Sequence, residues 1–145
     1  MLTELEGEHK AKICDFGVSR FIKGDEIINE QCGTPAYIAP EIIKKKGYKG
    51  FSADIWSLGV LLYAMVLGAM PFKSENIEGL HSRILERDCD ISDPTVSEEV
   101  KDLLEKMLKI EPAERITLQE IYSHPWLTGD PRFKLIQENQ SDIIA

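Results

Sequence analysis

The run from Ser52 to Met70, SADIWSLGVLLYAMVLGAM, constrains this chain more than any other stretch. From Ile55 to Phe72 there are eighteen residues without a formal charge, a length that invites a membrane-spanning reading. Gly59, Gly68 and Pro71 interrupt the run, and Ser57 dilutes it. Asp54 stands at its mouth, and neither flank carries the aromatic and basic residues that dress a span. A lone membrane helix would also leave the amphipathic segments downstream with nothing to pack on. A helix that is apolar all round is otherwise buried in the middle of a domain. Ser52 suits an N-cap, and Asp54 in the first turn suits the helix dipole. Gly68 can take the left-handed position at the C-terminus. The expectation is a capped, buried helix of about five turns.

The 145 residues are enough for one domain with its own core. A formal net charge of -8 argues against non-specific nucleic-acid binding, so neither nucleic acid nor membrane is expected as a partner. Cys14, Cys32 and Cys89 show no paired or metal-ligand spacing. With no signal-peptide pattern at the start, they read as reduced thiols of an intracellular protein, cytoplasmic or nuclear.

Met1 to Lys10 is polar, with Gly7 as a turn. The alternating run KAKIC, ending at Cys14, reads as a strand that leads into Asp15-Phe16-Gly17. Val18 to Pro40 has little periodicity and holds Gly24, Gly33, Pro35 and Pro40. Irregular segments this long inside a domain are usually functional. Glu41 to Lys46 reads as a turn or two of helix stopped by Gly47. After the central helix, Ser74 is the expected cap of a helix carrying Ile77, Leu80, Ile84 and Leu85. Ser97 caps the clearest amphipathic helix, with Val100, Leu103, Leu104, Met107 and Leu108 on one face. Thr117 to Glu120 is a capping box that opens a short last helix. A polar tail from Thr128 carries weak clusters at Leu135/Ile136 and Ile143/Ile144. The reading is a mainly α domain over residues 1–127 and a polar tail over 128–145.

Asp15-Phe16-Gly17 alone is a weak match. It reads as a strand ending in a turn, or as a carboxylate placed to hold magnesium, with Phe16 packed inward. Its context is more specific. Gly33-Thr34-Pro35-Ala36-Tyr37-Ile38-Ala39-Pro40-Glu41, then Asp54-Ile55-Trp56-Ser57-Leu58-Gly59, Glu111-Pro112-Ala113-Glu114-Arg115 and His124-Pro125-Trp126 follow in order. With these motifs the chain strongly resembles the C-terminal helical lobe of the α+β eukaryotic protein kinase fold. Gly33-Thr34-Pro35 resembles the serine/threonine class. Ile121 to Leu127 resembles the calmodulin-dependent and AMP-activated group.

The resemblance implies transfer of the ATP γ-phosphoryl group to serine or threonine of protein substrates, with Mg2+, under a regulatory protein such as a calmodulin-like activator. It implies that Asp15, Phe16 and Gly17 form the cofactor-binding turn, with Asp15 the metal ligand. Thr34 supports catalysis, and Gly33, Thr34, Pro35 and Tyr37 dock the substrate. Glu41 and Arg115 form a buried ion pair, although Arg115 alone reads as a solvated arginine. Asp54 holds the catalytic-loop backbone, and Leu61 and Met65 support the adenine site. The departures matter as much. The sequence holds no glycine-rich phosphate loop, no small-lobe lysine with its glutamate, and no H-R-D-x-x-x-x-N, so the catalytic base is expected upstream of Met1. The chain by itself is therefore expected to be inactive. The rival reading is a non-catalytic kinase-lobe module that binds substrates or regulators. In related kinases a threonine commonly precedes the cysteine of C-G-T-P by two residues. Here Glu30 stands there, with Asp25 and Glu26 nearby. It is either a permanent substitute for a phosphate or a solvated loop residue, its arginine being expected in the absent catalytic loop.

Overall fold

The central helix, α2, spans Gly50–Leu67 and ends at Gly68 in the left-handed conformation, φ 67°. In this computed structural model, which describes residues 2–5 and 8–133 and side chains from residue 11, it is the longest helix among the described residues. The helix begins two residues before the expected cap, with Lys49 at the N-cap. Ser52 lies inside the first turn because its groups are used in tertiary contacts. Its Oγ donates to the Pro112 carbonyl at 3.2 Å, and its carbonyl accepts from Arg115 at 2.6 Å.

Being apolar on all sides does not bury α2 on all sides. Trp56, Val60 and Tyr63 enter the core, while Phe51, Leu58, Leu61 and Met65 (74% exposed) face outward among the described residues. The helix is long and apolar enough to cross a membrane by length and composition. A core helix passes the same test, and the buried face of α2 packs on α4 (Glu98–Met107). The α4 stripe of Val100, Leu103, Leu104 and Met107 is buried. Gly59 allows the close approach, since a Cβ there would stand 3.0 Å from Met107 Cβ. Trp56 stacks on Phe72 with ring centroids 5.7 Å apart. α3 (Ile77–Glu86) adds Ile84. Its cap is Asn76, not Ser74: Asn76 Oδ1 accepts from the Gly79 amide at 2.8 Å, the reach of a side chain three residues ahead.

The remaining elements are short. Strands β1 (Leu2–Leu5) and β2 (Glu8–Ala11) form an antiparallel hairpin with Leu2 opposite Ala11. The expected Gly7 turn lies outside the described residues, as do the Leu135/Ile136 and Ile143/Ile144 clusters. Of KAKIC only Lys10 and Ala11 are strand: pairing stops at Ala11, and residues 12–16 are irregular. A strand needs a ladder partner, and among the described residues none reaches Ile13, which is 89% exposed. Residues 18–39 are irregular apart from one bridge, Ile28 to Tyr48, and a 3-10 turn at Pro35–Tyr37. α1 is a single turn, Pro40–Ile43. α5 (Leu118–Tyr122) starts in the expected capping box, with both of its halves formed. α6 (Pro125–Thr128) is capped by His124, which is buried and bonded to Asp102 at 2.9 Å.

Candidate functional site

The segment from Gly33 to Tyr37 is shaped by its own residues and fastened from below. Gly33 has φ 118°, a conformation that only glycine adopts readily. Pro35 sets the 3-10 turn, and the Tyr37 amide donates to the Thr34 carbonyl at 3.0 Å. From below, Ser57 Oγ donates to the Tyr37 carbonyl at 2.9 Å. The serine that seemed only to dilute the central helix therefore fastens this turn to α2. Thr34 occupies the cap position without capping, and its exposed hydroxyl has no hydrogen bond among the described residues.

Behind the turn, Glu41 begins α1 and meets Arg115 in a bidentate pair, Nη1 to Oε1 at 2.7 Å and Nη2 to Oε2 at 3.0 Å. Both residues are buried, at 7% and 5% exposure. Arg115 also donates to the Lys109 and Ser52 carbonyls and lies over the Trp56 ring, 5.3 Å from its centroid. A buried guanidinium is tolerable because nearly every donor has a partner. One side chain thus joins α1, the start of α2 and the loop after α4.

In front of the turn is a cleft of about 720 Å³, walled by Phe16, Arg20, Glu30, Thr34, Asp54 and Ser57. Asp54 makes no hydrogen bond among the described residues, and desolvation raises its carboxyl above the ordinary range. Asp15 lies at φ 63°, left-handed for a residue with a side chain, and its Oδ1 accepts from the Gly17 amide at 3.4 Å. Strain of this kind concentrates at functional positions. Phe16 does not pack inward: it is 67% exposed, because no described residue covers it. Of the expected cofactor turn only Phe16 lines the cleft; Asp15 and Gly17 lie outside its wall. No group of three His, Cys, Asp or Glu residues clusters to hold a metal among the described residues. Asp15 offers one hard carboxylate, which fits magnesium, an ion that takes few protein ligands alongside water and phosphate.

Arg20 is the residue that sequence reasoning passed over. Its Nη2 donates to Glu26 Oε1 at 2.5 Å and its Nη1 to Glu30 Oε2 at 2.9 Å. Within this chain, then, Glu30 already has an arginine partner. Glu30's backbone amide, and next the Arg20 charge, hold its carboxyl below the usual range. The available signal was compositional: between Phe16 and Gly33 the only basic residues are Arg20 and Lys23.

Comparison with known proteins gives the family. CBL-interacting serine/threonine-protein kinase 16 of Arabidopsis thaliana is 40% identical over 132 residues, covering 84% of this chain and 28% of that protein. CBL-interacting serine/threonine-protein kinase 5 of the same plant is 44% identical over 119 residues, 80% of this chain and 26% of its own length. Serine/threonine-protein kinase SIK1 of Rattus norvegicus is 41% identical over 127 residues, 88% of this chain and 16% of its own. The chain thus spans less than a third of the length of these relatives. Residues 1–127 match the family described as Protein kinase domain. With the Glu41–Arg115 clamp, the Gly33–Tyr37 turn and that match over most of its length, the chain belongs to the protein kinase domain family and carries the helical lobe of that fold.

Proposed function

We propose that this chain is the substrate-docking portion of a serine/threonine protein kinase, which transfers the γ-phosphoryl group of ATP to serine or threonine of intracellular proteins. The observation that carries the reading is Thr34. Its hydroxyl is free and faces the cleft, on a turn held by Ser57 below and by the arginine clamp behind. Catalysis of phosphoryl transfer is largely positioning and charge neutralisation. This chain's own residues do the positioning: Gly33, Pro35 and Tyr37 shape the seat, and Thr34 offers a hydrogen bond at its edge. The Asp54 carboxylate is ready to accept amide donors from a neighbouring backbone. Asp15 would hold the magnesium ion, which when bound with ATP neutralises the phosphate charge. The name of the CBL-interacting relatives supports a regulatory protein partner, such as a calmodulin-like activator.

The sequence contains no H-R-D-x-x-x-x-N and no glycine-rich loop, so the purified chain alone is expected to transfer no phosphate. The test is a chimera in which residues 1–127 replace the matching segment of CBL-interacting kinase 5. It should phosphorylate a serine or threonine peptide, and Asp15→Asn should abolish the transfer. A folded chimera that binds the peptide and transfers nothing would favour a non-catalytic binding module instead.

A further inference from the structure

Lys44, Lys45 and Lys46 are the one run of three basic residues in a chain of formal net charge -8, and all three are exposed. The chain's own acids answer the outer lysines of this region: Lys44 Nζ pairs with Glu111 at 3.2 Å, and Lys49 Nζ pairs with Asp25 at 2.6 Å. Lys45 and Lys46 have no carboxylate partner among the described residues. The loop that carries them is fixed. The Lys45 amide donates to the Ile42 carbonyl at 3.2 Å, with Lys45 itself left-handed at φ 55°. Gly47 has φ 76°, and a Cβ there would stand 2.5 Å from Ile27 Cγ2 and 3.1 Å from Asn29 Oδ1. The lysine loop therefore lies directly against the segment that leads into Gly33. The Gln31 side chain closes the same seam by donating to the Ile42 carbonyl. From Tyr37 to Lys45 the chain runs through one helical turn, so the two stand at most about 20 Å apart by the ordinary rise per residue. An extended peptide covers that distance in about six residues.

We propose that Lys45 and Lys46 recognise acidic residues of the protein substrate that lie about six positions from its phosphoacceptor. The proposal rests on the docking reading of Gly33–Tyr37 and names a substrate class for it. A membrane or a nucleic acid presents charge over an extended surface and would meet the many acids of this chain as well. A short acidic segment meets only the patch, because charges farther off than a Debye length are screened. Two exposed ammonium groups select and steer such a segment more than they hold it.

The chimera tests this with pairs of peptides that share one acceptor serine and differ only in a block of glutamates or of glutamines about six positions from it. The block stands before the serine in one pair and after it in the other. In one of the pairs the glutamate peptide should show a KM roughly five-fold below that of its glutamine twin, the scale of two exposed ion pairs. Its kcat should not move, and the advantage should fade as salt rises. Lys45→Asn combined with Lys46→Gln should bring the twins to the same KM; asparagine tolerates the left-handed backbone at position 45. Should that double variant fail to fold, Lys46→Gln alone carries the test and should remove part of the advantage. Equal KM values within both pairs, or an advantage that survives the loss of the lysine charges, overturns the proposal. An inactive wild-type chimera indicts the kinase reading alone, and fluorescence anisotropy of the labelled peptides on the 145-residue chain then decides, by the same glutamate preference and the same loss of it in the variants. Phosphatidylserine vesicles that capture the chain through these lysines, with no preference between the peptides, would assign the patch to a lipid surface and overturn the proposal as well.

Discussion

Arg115 and Arg20 make the same kind of contact in opposite surroundings. Each guanidinium reaches two carboxylate oxygens, Arg115 those of one glutamate and Arg20 one from each of two. The side chain of Arg115 has no solvent exposure, whereas 40% of Arg20's is open. Arg115 joins residues 74 positions apart and adds carbonyl partners and an aromatic face; Arg20 spans ten positions of an irregular loop. Burial removes water as a competing partner, so breaking the first pair strands a charge in low dielectric. Breaking the second returns its groups to water. The same chemistry is architecture in one place and adjustment in the other.

The sharpest way to break this contrast is Arg115→Ala. Loss of one partner of a buried pair typically costs about 3–5 kcal/mol, and Glu41, Ser52 and Lys109 would all lose a donor. Denaturant unfolding followed by tryptophan fluorescence should show that fall, because Arg115 lies over Trp56. A cost under about 1 kcal/mol, the level of exposed pairs, would mean that the two arginines are alike.

The contrast also explains which parts were legible in the sequence. The α4 stripe, the Gly68 stop and the capping box at Thr117 are local patterns, and each stands where its residues predict. Ser52 misled because its hydroxyl answers to Pro112, sixty residues away, not to its own helix. KAKIC misled because a strand is a property of two segments, and pairing ends at Ala11. Glu41–Arg115 was reachable only through resemblance, since on its own residues Arg115 reads as solvated. The Arg20 fork was not reached at all: the loop it crosses has no periodicity that would bring position 20 to position 30.

Thr117→Ala supplies an intermediate yardstick. Thr117 Oγ1 accepts from the Glu120 amide at 3.3 Å, and Glu120 returns a bond to the Thr117 amide at 2.8 Å. Loss of an N-cap costs roughly 1 kcal/mol, and α5 has only five residues over which to recover it. Thermal unfolding should place this variant between the two arginines. A larger loss than Arg115→Ala would show that caps, not burial, set the order.

Arg20→Gln should come next, lowering global stability by less than about 1 kcal/mol. A loss comparable to that of Arg115→Ala would mean that the loop belongs to the folding core.

The smallest expected effect belongs to Asp54, a carboxylate without either kind of partner. Desolvation raises its carboxyl in the folded chain. Below its unfolded value both states are protonated, and the residue is neutral to stability. Between the unfolded and the raised value the folded chain holds more protons, so stability falls as pH rises. Above the raised value the full penalty is present. Asp54→Asn should therefore stabilise the isolated chain at neutral pH, by roughly a few tenths of a kcal/mol once solvent screening of this half-open site is allowed for. It should also flatten the pH dependence just above the ordinary carboxylate range. In a kinase whose neighbouring backbone donates amides to Asp54, the sign should reverse, because the carboxylate would then gain the hydrogen bonds that the arginines already give their partners. Paired unfolding curves at pH 4 and pH 7, for the chain and for the chimera, separate the cases. A destabilising Asp54→Asn in the isolated chain would show that Asp54 is already partnered.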